Sequence, residues 1–298
     1  MRWACRDRVF SPGERALVMG ILNVTPDSFS DGGRFFEPAA AIARGRQILE
    51  QGADLIDLGA ESTRPGSQPV PGDEQWRRLE PVIRALREES GACLSVDTAD
   101  AGVAERALAE GVAVVNDVSA LGDPRMGPVI AAAGAGVVLM HMRGAPADMQ
   151  RDPRYGDAPT EIAGWLGVRR ALARAAGIAD DAIALDPGIG FGKALEHNLA
   201  LLARLDVLVE LGRPVLVGVS RKSFLGKLLD DAPVHERLEA GLAAAAVAVF
   251  GGATIVRTHD VAATVRAVRI AQAIRRRRAG DPQPTAPRSE ITPRAHRP

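Results

Sequence analysis

LVMGILNVTPDSFSDGG, residues 17–33, opens as an aliphatic run suited to a strand covered on both faces. It then turns at once into Asn23, Thr25, Pro26, Asp27, Ser28, Ser30 and Asp31 before closing on Gly32 and Gly33. The same unit recurs along the chain. Further apolar runs are DLIDLG (54–59), CLSVD (93–97), VAVVND (112–117), GVVLMHM (136–142), AIALD (182–186), PVLVGV (214–219) and ATIVRT (253–258). Between them lie amphipathic stretches such as PAAAIARGRQILEQG, EQWRRLEPVIRALREES, AGVAERALAEG and RLEAGLAAAAVAVFG, several ending near a glycine that can close a helix. Eight strands alternating with helices predict a single-domain (β/α)8 barrel, with a doubly wound open sheet as the alternative fold.

The polar residues at the end of each run narrow the function. They are Asn23, Asp57, Asp97, Asn116 with Asp117, His141, Asp186, Ser220 to Lys222, and Arg257 with His259. In a barrel these C-terminal strand ends converge on the rim where active sites sit. The alternative for any one of them is a turn or helix cap, which Asp and Asn favour.

Composition sets outer limits. The 298 residues are 46% hydrophobic and 25% charged, with 37 basic and 37 acidic residues. No net charge recruits nucleic acid or a membrane surface, so any basic site is local. Cys5 and Cys93 form no CxxC pair, which fits a reducing compartment, and the cytoplasm is expected. The uncharged run Ala240–Val256 reads as a buried helix followed by a strand rather than a membrane span. No signal-peptide pattern opens the chain. The first 15 residues are expected to form a lead-in hairpin. The barrel domain is expected over 1–278, and the Pro-rich, polar residues 279–298 as a disordered tail.

LDPGIGFGK (185–193) matches neither common nucleotide-loop pattern. Its alternating glycines would let backbone approach a flat ligand beside Asp186 and Phe191, or would serve a tight turn. GVSRKSFLG (218–226) sets Ser220, Arg221 and Lys222 where a strand meets a helix, a corner suited to a carboxylate or phosphate. Lys222 could alternatively form a Schiff base. RTHD (257–260) puts Arg257 and His259 at alternate positions, hence on one face, and ESTRPG (61–66) adds Thr63 and Arg64. Together they suit a diphosphate. Asp97, Asn116 and Asp186 are strand polar groups that a nitrogen heterocycle would satisfy. His141, His197 and His235 have no such company and read as ordinary residues.

In this order and spacing, ILNVTPDSFSDGG, ESTRPG, SVDT, NDVSA, LDPGIGFGK, GVSRKSFLG and VRTHD resemble the dihydropteroate synthase family from about Leu17 to Ile270. The resemblance implies a (β/α)8 barrel, commonly a homodimer. It also implies small-molecule substrates: 6-hydroxymethyl-7,8-dihydropterin diphosphate and p-aminobenzoate, joined with release of diphosphate. Sulfonamides mimic p-aminobenzoate in the family. Asn23 matches the residue that holds Mg²⁺ on the diphosphate, with Thr63, Arg64, Arg257 and His259 around that group. Asp97, Asn116, Asp186 and Lys222 match the pterin pocket. Ser220 matches the p-aminobenzoate carboxylate site, with Phe191 and Thr63 alongside and Arg221 flanking. Phe29 and Asp31 match a loop that closes over the reacting groups. Departures from the pattern fall at Ala60, Arg143 and Thr258, none of them a matched ligand. A non-catalytic pterin-binding paralogue and a Lys222 aldolase are the alternatives.

Overall fold

Each expected apolar run forms a strand in the computed structural model, which describes residues 1–25, 38–61, 69–90, 92–144, 148–279 and 292–293. Ahead of the barrel, β1 (Trp3–Cys5) and β2 (Arg8–Phe10) pair as the antiparallel lead-in hairpin. The barrel strands are β3 (Leu17–Asn23), β4 (Leu55–Gly59), β5 (Leu94–Asp97), β6 (Val114–Asp117), β7 (Gly136–Met140), β8 (Ile183–Asp186), β9 (Leu216–Gly218) and β10 (Ile255–Thr258). The helices that follow β3 to β7 are α1 (Pro38–Glu50), α2 (Gly72–Ser90), α3 (Ala101–Ala109), α4 (Met126–Ala133) and α5 (Ala158–Ala175). After β8 come α6 (Leu195–Ala203) and the short α7 (Asp206–Val209); after β9, α8 (Ser223–Leu228) and α9 (Leu238–Gly251); after β10, α10 (Val261–Ala279).

The eight barrel strands are parallel, in the order β8-β7-β6-β5-β4-β3-β10-β9, and a bridge between Leu185 and Val215 closes the ring. This is the expected (β/α)8 barrel. Side chains alternate along each strand, so Leu17, Met19, Leu55, Cys93, Val138, Ala184, Leu216 and Ile255 pack together inside, and Trp3 and Phe10 of the hairpin join them. Trp3 Nε1 donates to Ala182 O at 3.0 Å, tying that hairpin to the barrel. The other parity, with residues such as Ile56, Leu58, Val96 and Leu139, packs outward in the larger core shared with the helices.

Register then sets the rim. Asn23 lies opposite Gly59, Gly59 opposite Asp97, and Asp97 opposite Asn116, which forms one continuous row across four strands. Two steps below each of Gly59 and Asp97, Asp57 and Ser95 are likewise register partners.

The alanine-rich helix α9, expected to be buried, is not buried all round: Gly241, Ala245, Ala248 and Val249 face inward, while Val247 is 55% exposed and Phe250 37% exposed. Small inner side chains seat the helix closely and leave its larger residues outside. No described helix is long and apolar enough to cross a membrane. Of the expected tail, residues 280–291 and 294–298 lie outside the described residues. The two-residue strand β11 (Thr292–Pro293) pairs antiparallel with β2.

Candidate active site

The rim row gathers charge of both signs. Arg257, inward from β10, donates through Nε to Asp57 Oδ2 at 2.6 Å and through Nη2 to Asp97 Oδ2 at 2.7 Å. Asn116 Nδ2 donates to the same Asp57 oxygen at 2.9 Å. Burial opposes the charge on Arg257, but the Asp57 and Asp97 carboxylates outweigh it and raise its pKa. Burial pushes the Asp97 carboxyl up to about 7, with Arg257 opposing and Asp57 adding to the rise. Asp57 was expected among the polar residues that end the apolar runs, with no partner or role of its own named. It stands in mid-strand rather than at a strand end, and it braces both Arg257 and Asn116.

Three buried polar atoms at this level have no hydrogen-bond partner among the described residues: Asp57 Oδ1, Ser95 Oγ and Asn116 Oδ1. Native proteins seldom leave such atoms unpaired, so this part of the cup is built to receive a bound molecule or water.

Across the rim, Gly188 N–H donates to Asp186 Oδ1 at 2.7 Å. Burial pushes Asp186 up to about 6, with that bond and the Lys222 charge pulling the other way. Lys222 Nζ sits 3.9 Å from the centre of the Phe191 ring, a cation–π contact. Burial lowers its pKa to about 8. Lys222 thus lies against Phe191 and close enough to Asp186 for its charge to act on that carboxyl.

Of the two readings of the alternating glycines of residues 188–192, the tight turn is the one that the structure favours. Gly188, Gly190 and Gly192 all have positive φ, at +67°, +84° and +58°. A Cβ on Gly188 would overlap the carbonyl oxygen of His141, and one on Gly192 that of Arg143. Their close approach is to neighbouring backbone, while Gly190 faces the Lys222 side chain.

A second corner forms beside the first. Ser220 Oγ lies 3.1 Å from His259 Nδ1 and accepts the His259 N–H at 3.2 Å. Arg221, held at φ +60°, donates to Asp260 through Nε at 3.1 Å and Nη2 at 2.6 Å. Arg257 and His259 were expected on one face, but the structure separates their partners. Strand β10 ends at Thr258, so His259 turns to Ser220 while Arg257 stays inside with the carboxylates. Asp117, adjacent to Asn116, proves to be a turn residue that accepts from the backbone of Ser119 and Leu121 at 2.8 and 2.6 Å.

His141, expected to be an ordinary residue, is not one. It is buried, and its Nδ1 lies 3.0 Å from the Nζ of Lys193, a side chain to which the sequence alone assigns nothing. Asn23 closes β3 half-buried, and its Oδ1 and Asp97 Oδ2 flank Gly59, 3.9 and 3.8 Å from where a Cβ on that glycine would stand. Hard divalent cations prefer oxygen donors, and Mg²⁺ commonly takes one or two from protein and the rest from phosphate and water, so the donors here fit it. No group of three or more His, Cys, Asp or Glu suited to a metal occurs among the described residues. Phe29, Asp31, Thr63 and Arg64 lie outside the described residues.

Comparison with known proteins places this rim in a family. The model for pterin binding enzymes matches residues 19–259. The chain belongs to the pterin binding enzyme family. Among pterin binding enzymes, a dihydropteroate synthase from Neisseria meningitidis serogroup B is 45% identical over 267 residues, covering 88% of this chain and 93% of the relative. A Yersinia pestis dihydropteroate synthase crystallised with a sulfonamide drug superposes with a TM-score of 0.87 at 43% identity, covering 92% of this chain and 99% of that one. The Xanthomonas albilineans enzyme with 4-aminobenzoic acid gives 0.85 at 44%, covering 92% and 97%.

Proposed function

We propose that this chain is a dihydropteroate synthase. It joins 6-hydroxymethyl-7,8-dihydropterin diphosphate to p-aminobenzoate, giving 7,8-dihydropteroate and diphosphate in folate synthesis. One observation carries the reading: a cup at the C-terminal ends of the barrel strands in which Asp97, Asn116, Asp186 and Lys222 offer acceptors and donors, with the buried Asn116 Oδ1 lacking a donor. A pterin carries ring and exocyclic N–H groups beside ring acceptors, which such a cup would pair. The sulfonamide and 4-aminobenzoic acid complexes of its relatives support p-aminobenzoate as one substrate, and the pterin binding family match supports the pterin as the other.

The chain's own residues divide the chemistry. An arylamine is neutral at pH 7, so its nitrogen attacks without a dedicated base. The methylene C–O bond to diphosphate breaks ahead of C–N bond formation, the amine nitrogen then bonds the methylene carbon, and the amine proton passes to solvent. Departure of diphosphate is the demanding part. Arg257 and His259, with Thr63 and Arg64, would meet the developing negative charge. Asp97 and Asp186 favour the cationic pterin-methyl fragment, which supports a dissociative, SN1-like course. Ser220 and Arg221 would receive the p-aminobenzoate carboxylate beside Phe191, and Phe29 and Asp31 would cover the reacting groups. Asn23 would hold Mg²⁺, which when bound supplies positive charge to the leaving diphosphate.

Outside the barrel, Val247 and Phe250 of α9 and Ile270 and Ile274 of α10, the last two 64% and 56% exposed, give two helices that pack on each other an apolar outer face. Such a face supports a homodimer. Two buried, unpaired cysteines support a cytoplasmic location.

Asp186→Asn tests the pterin pocket directly by calorimetric titration with the pterin substrate. Affinity should fall at least tenfold, roughly the weight of one charge-assisted bond; unaltered affinity would take Asp186 out of the pocket.

A further inference from the structure

Lys193 is 3% exposed, where burial lowers its pKa to about 7 and an ammonium group keeps its charge only if its donors are satisfied. They are. Its three N–H groups have three acceptors: Phe191 O at 2.8 Å, His141 Nδ1 at 3.0 Å and His141 O at 3.3 Å. The side chain therefore stitches the turn after β8 to the segment leaving β7.

His141 is in turn held in place. Its ring meets Trp165 edge-on, with centroids 4.9 Å apart and planes at 84°, and Tyr155 lies 6.1 Å away. Burial and the Lys193 charge pull its pKa down to about 3, so the ring is neutral and can accept. Tyr155 Oη donates to Gly192 O at 2.9 Å. Gln150 Nε2 donates to Gly190 O at 2.7 Å, and Gly190 N–H donates to Asn198 Oδ1 at 2.7 Å. A turn whose glycines allow many conformations is thus tied at successive positions. Lys193 supplies the tie to the carbonyl of Phe191, whose ring lies against Lys222.

We propose that Lys193 is a positioning residue for the reaction: through Phe191 O and His141 it fixes the Phe191 ring, and so the wall against which p-aminobenzoate is aligned. Lys193 touches no reacting atom. Asp186 depends less on it, since Gly188 N–H and Lys222 both act on that carboxyl more strongly. The inference rests on the dihydropteroate synthase reading of the site.

The test is a double-mutant cycle on the full chain with Lys193→Met and Phe191→Leu, scored by the KM for each substrate and by kcat. Lys193→Met should raise the KM for p-aminobenzoate about tenfold or more, the cost of an ångström-scale misplacement, while the KM for the pterin substrate stays within about threefold. In the Phe191→Leu background the same substitution should add little, because its route to the substrate is already gone. Should Lys193→Met not fold, Lys193→Gln takes its place, keeping a donor for Phe191 O and giving a smaller change with the same non-additivity. Additive effects, or an unchanged KM for p-aminobenzoate in a folded, active variant, would overturn the proposal. A wild-type chain that consumes neither substrate would instead overturn the functional reading.

Discussion

Arg257 and Asp57, 200 positions apart in the chain, meet inside the barrel with Nε 2.6 Å from Oδ2, and Asp97 takes the same guanidinium from the other side. One cation is shared by two carboxylates. The arginine is therefore aimed by the fold before any substrate arrives.

Asp57→Ala should destabilise the protein by about 3–5 kcal/mol, since it removes one partner of a buried pair and strips Asn116 Nδ2 of its acceptor. Urea unfolding followed by circular dichroism reads this. A loss below about 1 kcal/mol would mean that Arg257 finds equivalent support elsewhere.

Arg257→Ala should lower turnover by about two orders of magnitude, the typical cost of deleting a preorganised charge contact. Arg257→Lys should recover little, because a point charge cannot span Asp57 and Asp97 together. Steady-state kinetics at saturating substrates decides it: near-normal turnover in Arg257→Ala would remove Arg257 from the chemistry, and in Arg257→Lys would show that a point charge suffices there.

Activity should be bell-shaped in pH. Asp186 and Asp97 work as carboxylates, a form gained as pH rises through about 6 to 7; Lys222 works as a cation, lost as pH rises through about 8. Thus kcat/KM should climb from about pH 5 to about 7 and fall beyond about 8. A flat profile from about pH 5 to 9 would contradict these roles.

Much of this arrangement was legible in the sequence, and the limits are physical. The strands announce themselves because both faces are covered, which leaves continuous apolar runs, and the rim residues Asn23, Asp97, Asn116 and Asp186 follow from where each run stops. Asp57 was expected at a strand end with the others but stands two residues short of it, because a polar residue beside an apolar run does not show where the strand stops or which distant side chain it meets. Lys193 and His141 were missed for a related reason: their pairing joins two loops through space, and neither motif implies it. His259 was paired with Arg257 by alternation, a rule that lapses where β10 ends at Thr258.

Gly188→Ala should be more damaging than its small size suggests. It combines a φ of +67° with a Cβ overlapping His141 O, whereas Gly134 has φ +59° with open space around it. Gly134→Ala should cost about 1 kcal/mol of conformational strain and Gly188→Ala clearly more, with loss of activity. Equal thermal shifts in the two variants would show that the turn yields without resistance.

The most direct measurement is diphosphate release by the purified chain with Mg²⁺, given 6-hydroxymethyl-7,8-dihydropterin diphosphate with and without p-aminobenzoate. Release that requires both compounds, with 7,8-dihydropteroate formed in equal amount, is the expected result. A pterin that binds but is never joined to p-aminobenzoate would make this chain a non-catalytic pterin-binding member of its family.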